Sequence, residues 1–139
     1  MKFTPDNITE LQPNQIFVFG SNLAGIHGAG AAALASKEFG AVWGKGIGFS
    51  GQTYALPTKD KRINPLPLMD IEYYMDRFLM DAKRYPNLEF LLTKVGCGLA
   101  GYSEAQIANL LKDKNIPSNV VIPESFYNII NSNESNAWV

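Results

Sequence analysis

The stretch IFVFGSNLAGIHGAGAAALASKEFG, residues 16–40, decides the fold. Its first four residues form a short run of β-branched and aromatic side chains, which predicts a buried strand. From Gly28 to Phe39, small and apolar residues recur at helical spacing, and Gly40 follows as a stop signal. The loop between strand and helix, Gly20–Gly30, therefore runs from the carboxyl end of a strand into a helix that packs closely on the sheet.

The same arrangement returns later in the chain. The sequence LEFLLTKV, residues 88–95, predicts a second strand, and Gly96–Gly101 is a second glycine-rich loop. Ser103 and Gln106 have the spacing of a capping box, which opens the next helix. The other elements that the patterns predict are strands at 53–56 and 120–122 and an amphipathic helix at 70–85.

The predicted strands alternate with helices, which favours an α/β fold with a largely parallel sheet. We expect a single domain over residues 1–122 and a partly flexible C-terminal extension over 123–139, because the end of the chain is rich in Asn and Ser. In such sheets, ligands bind at the carboxyl ends of strands, in the loops that lead into helices. Both glycine-rich loops are predicted there, so we expect them to form one ligand site.

The composition narrows the class of partner. The chain has 139 residues, 46% hydrophobic and 18% charged, with a net charge of −1. This balance is typical of a globular domain and argues against a nucleic-acid partner, which calls for a basic face. Cys97 is the only cysteine, so we expect no internal disulfide. His27 is the only histidine, so we expect no metal site. Without an apolar run of ~20 residues we expect no membrane contact and a cytoplasmic location; the oligomeric state stays open.

The chemistry of the loops favours an anionic ligand. Glycines let a ligand approach the backbone, whose amides, together with the N-terminus of the following helix, can hold a phosphate. Neither loop contains Lys or Arg, so we expect backbone N–H groups to hold the phosphate. That disfavours phosphoryl transfer, which uses a cation to neutralise developing charge.

Several single residues have two interpretations each. Asn22 either contacts a ribose hydroxyl or a water, or forms an Asx turn at the end of the strand. His27 is either a general acid/base or an exposed loop residue. Cys97 is either a nucleophile with a lowered pKa or a small residue whose backbone N–H binds phosphate. Tyr102 either covers the ligand or fills the core.

Several motifs together resemble the macro-domain superfamily of ADP-ribose-binding modules, especially its short bacterial and phage-related members. Asp6-Asn-Ile-Thr9 resembles the family's Gly-Asp-Ile-Thr, and Phe19-Gly-Ser-Asn22 resembles its Asn-Ala-Ala-Asn. Gly25–Ala32 resembles the loop that meets the distal ribose and phosphate, and Val95–Tyr102 resembles the loop that wraps the diphosphate. Thr53–Thr58 corresponds to the family's central strand. The resemblance covers residues 5–122 and implies a three-layer fold with a central mixed sheet flanked by helices.

The resemblance also implies the site. Either Asp6 or Asn7 stands at the acid that recognises adenine, and Ala100 replaces an aromatic residue beside the distal ribose. The acid that hydrolytic members carry in the first loop is absent. The residues implied as ligand-binding are Asn7, Ile8, Gly20, Ser21, Asn22, Gly28, Ala29, Gly30, Gly96, Cys97, Gly98, Leu99, Ala100, Gly101 and Tyr102. Asn22 and His27 are the candidates for catalysis.

Three functions remain open at this point. In the first, the chain binds ADP-ribose or a related nucleotide diphosphate and hydrolyses an ADP-ribosyl linkage, with no cofactor. In the second, it binds such a ligand without turnover, as a reader or sequestering protein. In the third, it is a structural or interaction protein whose glycines serve only as turns. The missing loop acid favours the reader over the hydrolase.

Overall fold

A computed structural model describes residues 1–132 of the chain. Within this range, strands and helices alternate as β1 (Gln15–Asn22), α1 (Gly30–Glu38), β2 (Gly48–Ser50), β3 (Thr53–Lys59), α2 (Leu68–Arg84), β4 (Glu89–Leu92), α3 (Glu104–Ala108), β5 (Val120–Val121) and α4 (Glu124–Ser132). None of the helices in this range combines the length and the apolar character that crossing a bilayer requires.

The strands form one mixed sheet in the order β2-β3-β1-β4-β5. β1 lies at its centre, parallel to both β3 and β4, and β5 is parallel to β4. Only β2 runs antiparallel, along the outer edge of β3. The predicted α/β class with a mixed, largely parallel sheet is thus confirmed, and the carboxyl ends of β1, β3 and β4 meet at one edge of the sheet.

The core lies on both faces of this sheet. Ile16 and Val18 of β1 belong to a cluster that includes the buried faces of α2, α3 and α4. Phe17 and Phe19 belong to a second cluster, with Ala32 and other small residues around α1. Successive side chains of a strand point to opposite faces, so the unbroken apolar run of β1 serves two cores at once.

The helices form for reasons that the sequence makes visible. α2 buries Ile71, Met75 and Phe78 along one stripe and ends just before Pro86. The capping box of α3 is confirmed, because the Ser103 side chain accepts from the Gln106 N–H and the Gln106 side chain accepts from the Ser103 N–H. By contrast, the N-cap of α1 has no side-chain hydrogen bond, which leaves the first amides of that helix uncapped.

The structure differs from the predicted elements in three places. β3 continues through Pro57 to Lys59, which is tolerated because β2 pairs only with residues 53–55. β4 ends at Leu92, so residues 93–95 already belong to the second loop. The short β2 lies in a segment for which the sequence patterns predicted no strand or helix.

The end of the described chain is also more ordered than predicted. Residues 124–132 form α4, and the Phe126 side chain is fully buried in the core beneath α2 and α3. Thr4 ties the N-terminus to the same region through a 2.9 Å hydrogen bond from its N–H to the Ile122 carbonyl. The packed domain therefore reaches Ser132 and does not stop at residue 122. The flexibility expected further on falls on 133–139, outside the described residues.

Candidate functional site

A pocket of about 390 Å³ lies at the sheet edge where β1, β3 and β4 end. Its size falls within the usual range for small-molecule sites. The predicted ligand-binding residues that line it are Gly20, Ser21, Asn22, Gly28, Ala29, Gly30, Gly96, Gly98, Leu99 and Ala100. The structure thus brings the two glycine-rich loops to the walls of a single pocket.

The first loop is held in place by the segment 42–46 on its outer side. The Gly44 N–H donates to the Gly25 carbonyl at 2.9 Å, and the Ser21 hydroxyl donates to the Gly46 carbonyl at 2.6 Å. The backbones approach so closely that a Cβ at Gly46 would lie 2.1 Å from the Asn22 carbonyl oxygen. Gly46 is therefore required by the contact with the first loop, whereas at Gly44 the reason for glycine is its φ of +91°.

The backbone amides of the pocket wall provide its donors. Among the described residues, no hydrogen-bond acceptor is present for the N–H groups of Gly28, Ala29, Gly30, Ala31 and Ala32, where the uncapped α1 begins. The same holds for the N–H groups of Gly98, Leu99 and Ala100 in the second loop. Two groups of unsatisfied amides on opposite loops, with the positive end of a helix dipole, are suited to an anion.

Two glycines of the pocket wall have no structural reason to be glycine. At Gly98 an added Cβ would meet no atom within 4 Å, and at Gly28 only the end of the Ile26 side chain at 4.0 Å. Neither has a positive φ. Gly96 differs, because its φ is +77° and a Cβ there would lie 2.8 Å from the Ile107 side chain. Open space in front of Gly28 and Gly98 leaves room for a ligand against the backbone.

Two lysines also line the pocket, which the sequence analysis missed. Lys59 is the last residue of β3, and Lys94 follows the end of β4. Lys94 pairs with Glu104 at 3.2 Å and with Asp6 at 3.6 Å, and the hydrogen bond to Glu104 raises the pKa of its ammonium group. Lys59 has no ion pair within the described residues. Their places at or just after the carboxyl ends of the two strands that flank β1 were the signal that could have found them.

Other wall residues were missed as well. They are Ile26, Ala31, Ala32, Thr58, Ile63, Thr93 and Val95. The hydroxyls of Thr58 and Thr93 donate to β1 carbonyls, those of Ser21 and Val18 respectively. Their hydroxyl hydrogens are thus engaged within the protein, although each oxygen remains able to accept.

Asn22 lines the pocket, but its side chain is occupied within its own loop. Its amide group donates to the Ile26 carbonyl at 2.7 Å, and its Oδ1 accepts from the Ile26 N–H at 3.0 Å. A register shift interrupts the pairing with β3 between Ser21 and Asn22. The side chain therefore closes the turn after β1, as the local-turn interpretation predicted.

His27 does not reach the pocket wall. Its side chain is buried, with 2% exposed, so the exposed-loop interpretation is wrong. The ring packs edge-on against Phe19, and its Nε2 lies 2.9 Å from the Val42 carbonyl oxygen. A carbonyl can only accept, so Nε2 carries the proton. His27 joins the first loop to the segment 42–46 from behind.

Cys97, Gly101 and Tyr102 belong to the second loop but do not line the pocket. The Cys97 N–H, predicted to bind phosphate, instead donates to the Lys94 carbonyl at 3.2 Å, because the loop turns on itself there. Burial, followed by the nearby Glu104 charge, raises the pKa of the Cys97 thiol to about 11, which is opposite to the lowered pKa that a nucleophile needs. The Tyr102 hydroxyl donates to the Leu66 carbonyl, so this ring packs inside the domain.

Asn7 and Ile8 also lie outside the pocket wall. Ile8 is buried in the core cluster around α1, and Asn7 is exposed. Asp6, the alternative acid for adenine recognition, forms its ion pair with Lys94. The segment 6–8 thus contacts the pocket only indirectly, through Lys94.

The pocket is lined by residues with unsatisfied amides and by one unpaired lysine, and its described wall residues include no Asp, Glu, His or Cys. Comparisons with family models, curated proteins and solved structures find nothing that matches this chain.

Proposed function

We propose that this protein binds ADP-ribose or a related nucleotide diphosphate in the pocket between its two glycine-rich loops. The observation that carries the proposal is the two sets of amide groups, at 28–32 and 98–100, that line one pocket and have no acceptor among the described residues. Unsatisfied amides that line a concave pocket are a recurrent way to hold phosphate oxygens.

The Lys59 ammonium group adds charge to this arrangement. It stands at the end of β3, in the same wall as the first loop. A diphosphate carries more negative charge than the partial charges of amides offset, and an unpaired lysine compensates part of the remainder. We therefore expect ligands with two phosphates to bind better than ligands with one.

Binding without turnover is the form of the proposal that the site supports best. Of the two residues considered for catalysis, Asn22 uses its side chain to close its own turn and His27 is buried behind the loop. The described pocket wall offers no carboxylate, imidazole or thiol as a general acid or base. A reader or sequestering role fits this wall better than hydrolysis does.

The test begins with calorimetric titration of the whole protein with ADP-ribose, ADP and NAD. We expect micromolar or tighter binding of at least one of them. An ADP-ribosylated substrate incubated with the protein should then yield no free ADP-ribose. Absence of heat with all three nucleotides overturns the proposal, and released ADP-ribose would replace the reader with a hydrolase.

Substitution of the two glycines with open space tests the site itself. Gly98→Val and Gly28→Val each place a branched side chain where the ligand would approach the backbone, and we expect each to lower affinity at least tenfold. Because nothing in the fold crowds either position, Tm should stay within a few degrees of the wild type. Ala105→Val, on the exposed side of α3 and outside the pocket wall, is the control and should leave affinity unchanged. Unchanged affinity in Gly98→Val would remove the second loop from the site.

A further inference from the structure

Ile63 has an unusual backbone conformation. Its φ is +66°, in the left-handed region that β-branched residues rarely adopt. The turn around it is closed by Asp60, whose Oδ1 accepts from the Arg62 N–H at 2.8 Å and from the Asn64 N–H at 3.0 Å. The conformation is thus imposed by the turn, in which glycine or asparagine would fit with less strain.

The side chain of Ile63 has no role in the described core. It belongs to neither core cluster, is 38% exposed, and lines the pocket. Ile26 and Leu99 share these three properties, with exposed fractions of 45% and 70%. Wall residues that remain exposed lie at the open side of a pocket, so these three aliphatic side chains stand there together with the exposed amide-bearing residues 28–31 and 98.

We propose that Ile63, together with Ile26 and Leu99, forms an apolar seat for the nucleobase of the bound nucleotide. This inference rests on the proposed function, because it assigns a place in the pocket to the nucleobase of the nucleotide proposed there. The faces of a base are flat and apolar, whereas a ribose presents hydroxyl groups that aliphatic side chains leave without hydrogen bonds. The unsatisfied amides hold the diphosphate, and the base covers the three aliphatic side chains. Strain at Ile63 persists because a large apolar side chain is needed there.

Two variants separate this role from a role in folding. Ile63→Gly and Ile63→Asn both suit a positive φ and both remove the aliphatic contact. We expect each variant to keep or raise Tm. Each should also lower the affinity for ADP and for ADP-ribose by a similar factor, on the order of tenfold, because about half of an aliphatic side chain is lost from the contact. Inorganic diphosphate, titrated as a third ligand, should be unaffected.

Asp113→Gly is the matched control. Asp113 has a φ of +65°, is exposed, and lies outside the pocket wall. Relief of strain at that position should change Tm in the same direction as Ile63→Gly and leave nucleotide affinity unchanged.

The outcomes separate the two proposals. A wild-type protein that binds neither nucleotide overturns the proposed function itself. If the wild type binds and both Ile63 variants bind equally well, the nucleobase seat is overturned. A loss with ADP-ribose but not with ADP places the distal ribose at the mouth and also overturns it. An equal loss of affinity for inorganic diphosphate indicates that the substitution distorts the amide groups, and it also overturns the nucleobase seat.

Discussion

Gly96 and Gly98, two glycines of the second loop, have different roles although they lie two residues apart. Gly96 is required by the fold, since its φ is +77° and Ile107 lies where a side chain would start, whereas Gly98 faces open space. Spacing alone could not separate them, because both follow a strand and precede a capped helix. Only the position of Ile107 in three dimensions shows that Gly96 is required by the turn, whereas Gly98 leaves room for a ligand.

Lys59 and Lys94 also show that spacing in the sequence does not reveal which residues meet in three dimensions. Neither loop contains Lys or Arg, which predicted that backbone N–H groups and not charged side chains hold the phosphate. The sheet, however, places the ends of β3 and β4 beside the end of β1. Residues outside the loops thereby enter the pocket wall, which depends on strand order and not on sequence motifs.

Cys97 gives a prediction at this scale. With a pKa of about 11, roughly one thiol in 3,000 is ionised at pH 7.5, so iodoacetamide should alkylate native Cys97 far more slowly than a free cysteine thiol. Mass spectrometry of the intact protein over time measures the rate. Urea-unfolded protein is the control and should react at the ordinary rate. Fast alkylation of the native state would contradict the raised pKa.

Among the elements, those with strong local signals were predicted well. The apolar stripe of α2 and the capping box of α3 arise from contacts within one helix, so they are visible in sequence. β2 was missed because its three residues follow a run of glycines and are stabilised only by pairing with β3. The end of β3 was missed because Pro57 normally argues against a strand.

The pairing of the first loop with segment 42–46 gives a prediction at the scale of elements. His27→Leu removes the donor of the part-buried hydrogen bond to the Val42 carbonyl, which should cost about 0.5–1.5 kcal/mol of stability. Urea denaturation should show a lower midpoint. His27→Gln keeps a donor and should lose less. At a temperature where the variant is folded, nucleotide affinity should change little; lost binding with unchanged stability would instead make His27 a ligand contact.

For the molecule as a whole, the boundary at residue 122 marks the main difference between expectation and structure. The Asn and Ser residues near the end of the sequence suggested an extension. Phe126 nevertheless fills a place in the core that the sheet and the other helices leave open. A single buried aromatic residue in a polar stretch is a weak sequence signal, because its burial depends on distant residues.

Phe126→Ala tests that assignment. Deletion of a fully buried aromatic side chain typically costs about 3–5 kcal/mol, and we expect a loss of that size in the free energy of unfolding from urea titration. Asn128→Ala, on an exposed position of the same helix, should change stability by less than about 0.5 kcal/mol. Similar stabilities for the two variants would support a domain that ends before α4.

The unsatisfied amides of the pocket wall have a consequence for protein engineering. Main-chain donors remain in place whatever side chains the loops carry, provided that the turns keep their shape and positions 28 and 98 stay small. Leu99 is largely exposed at the mouth and can therefore be randomised to change ligand preference while anion capture is retained. A library at that position would select among nucleotides with the affinity for the diphosphate held constant.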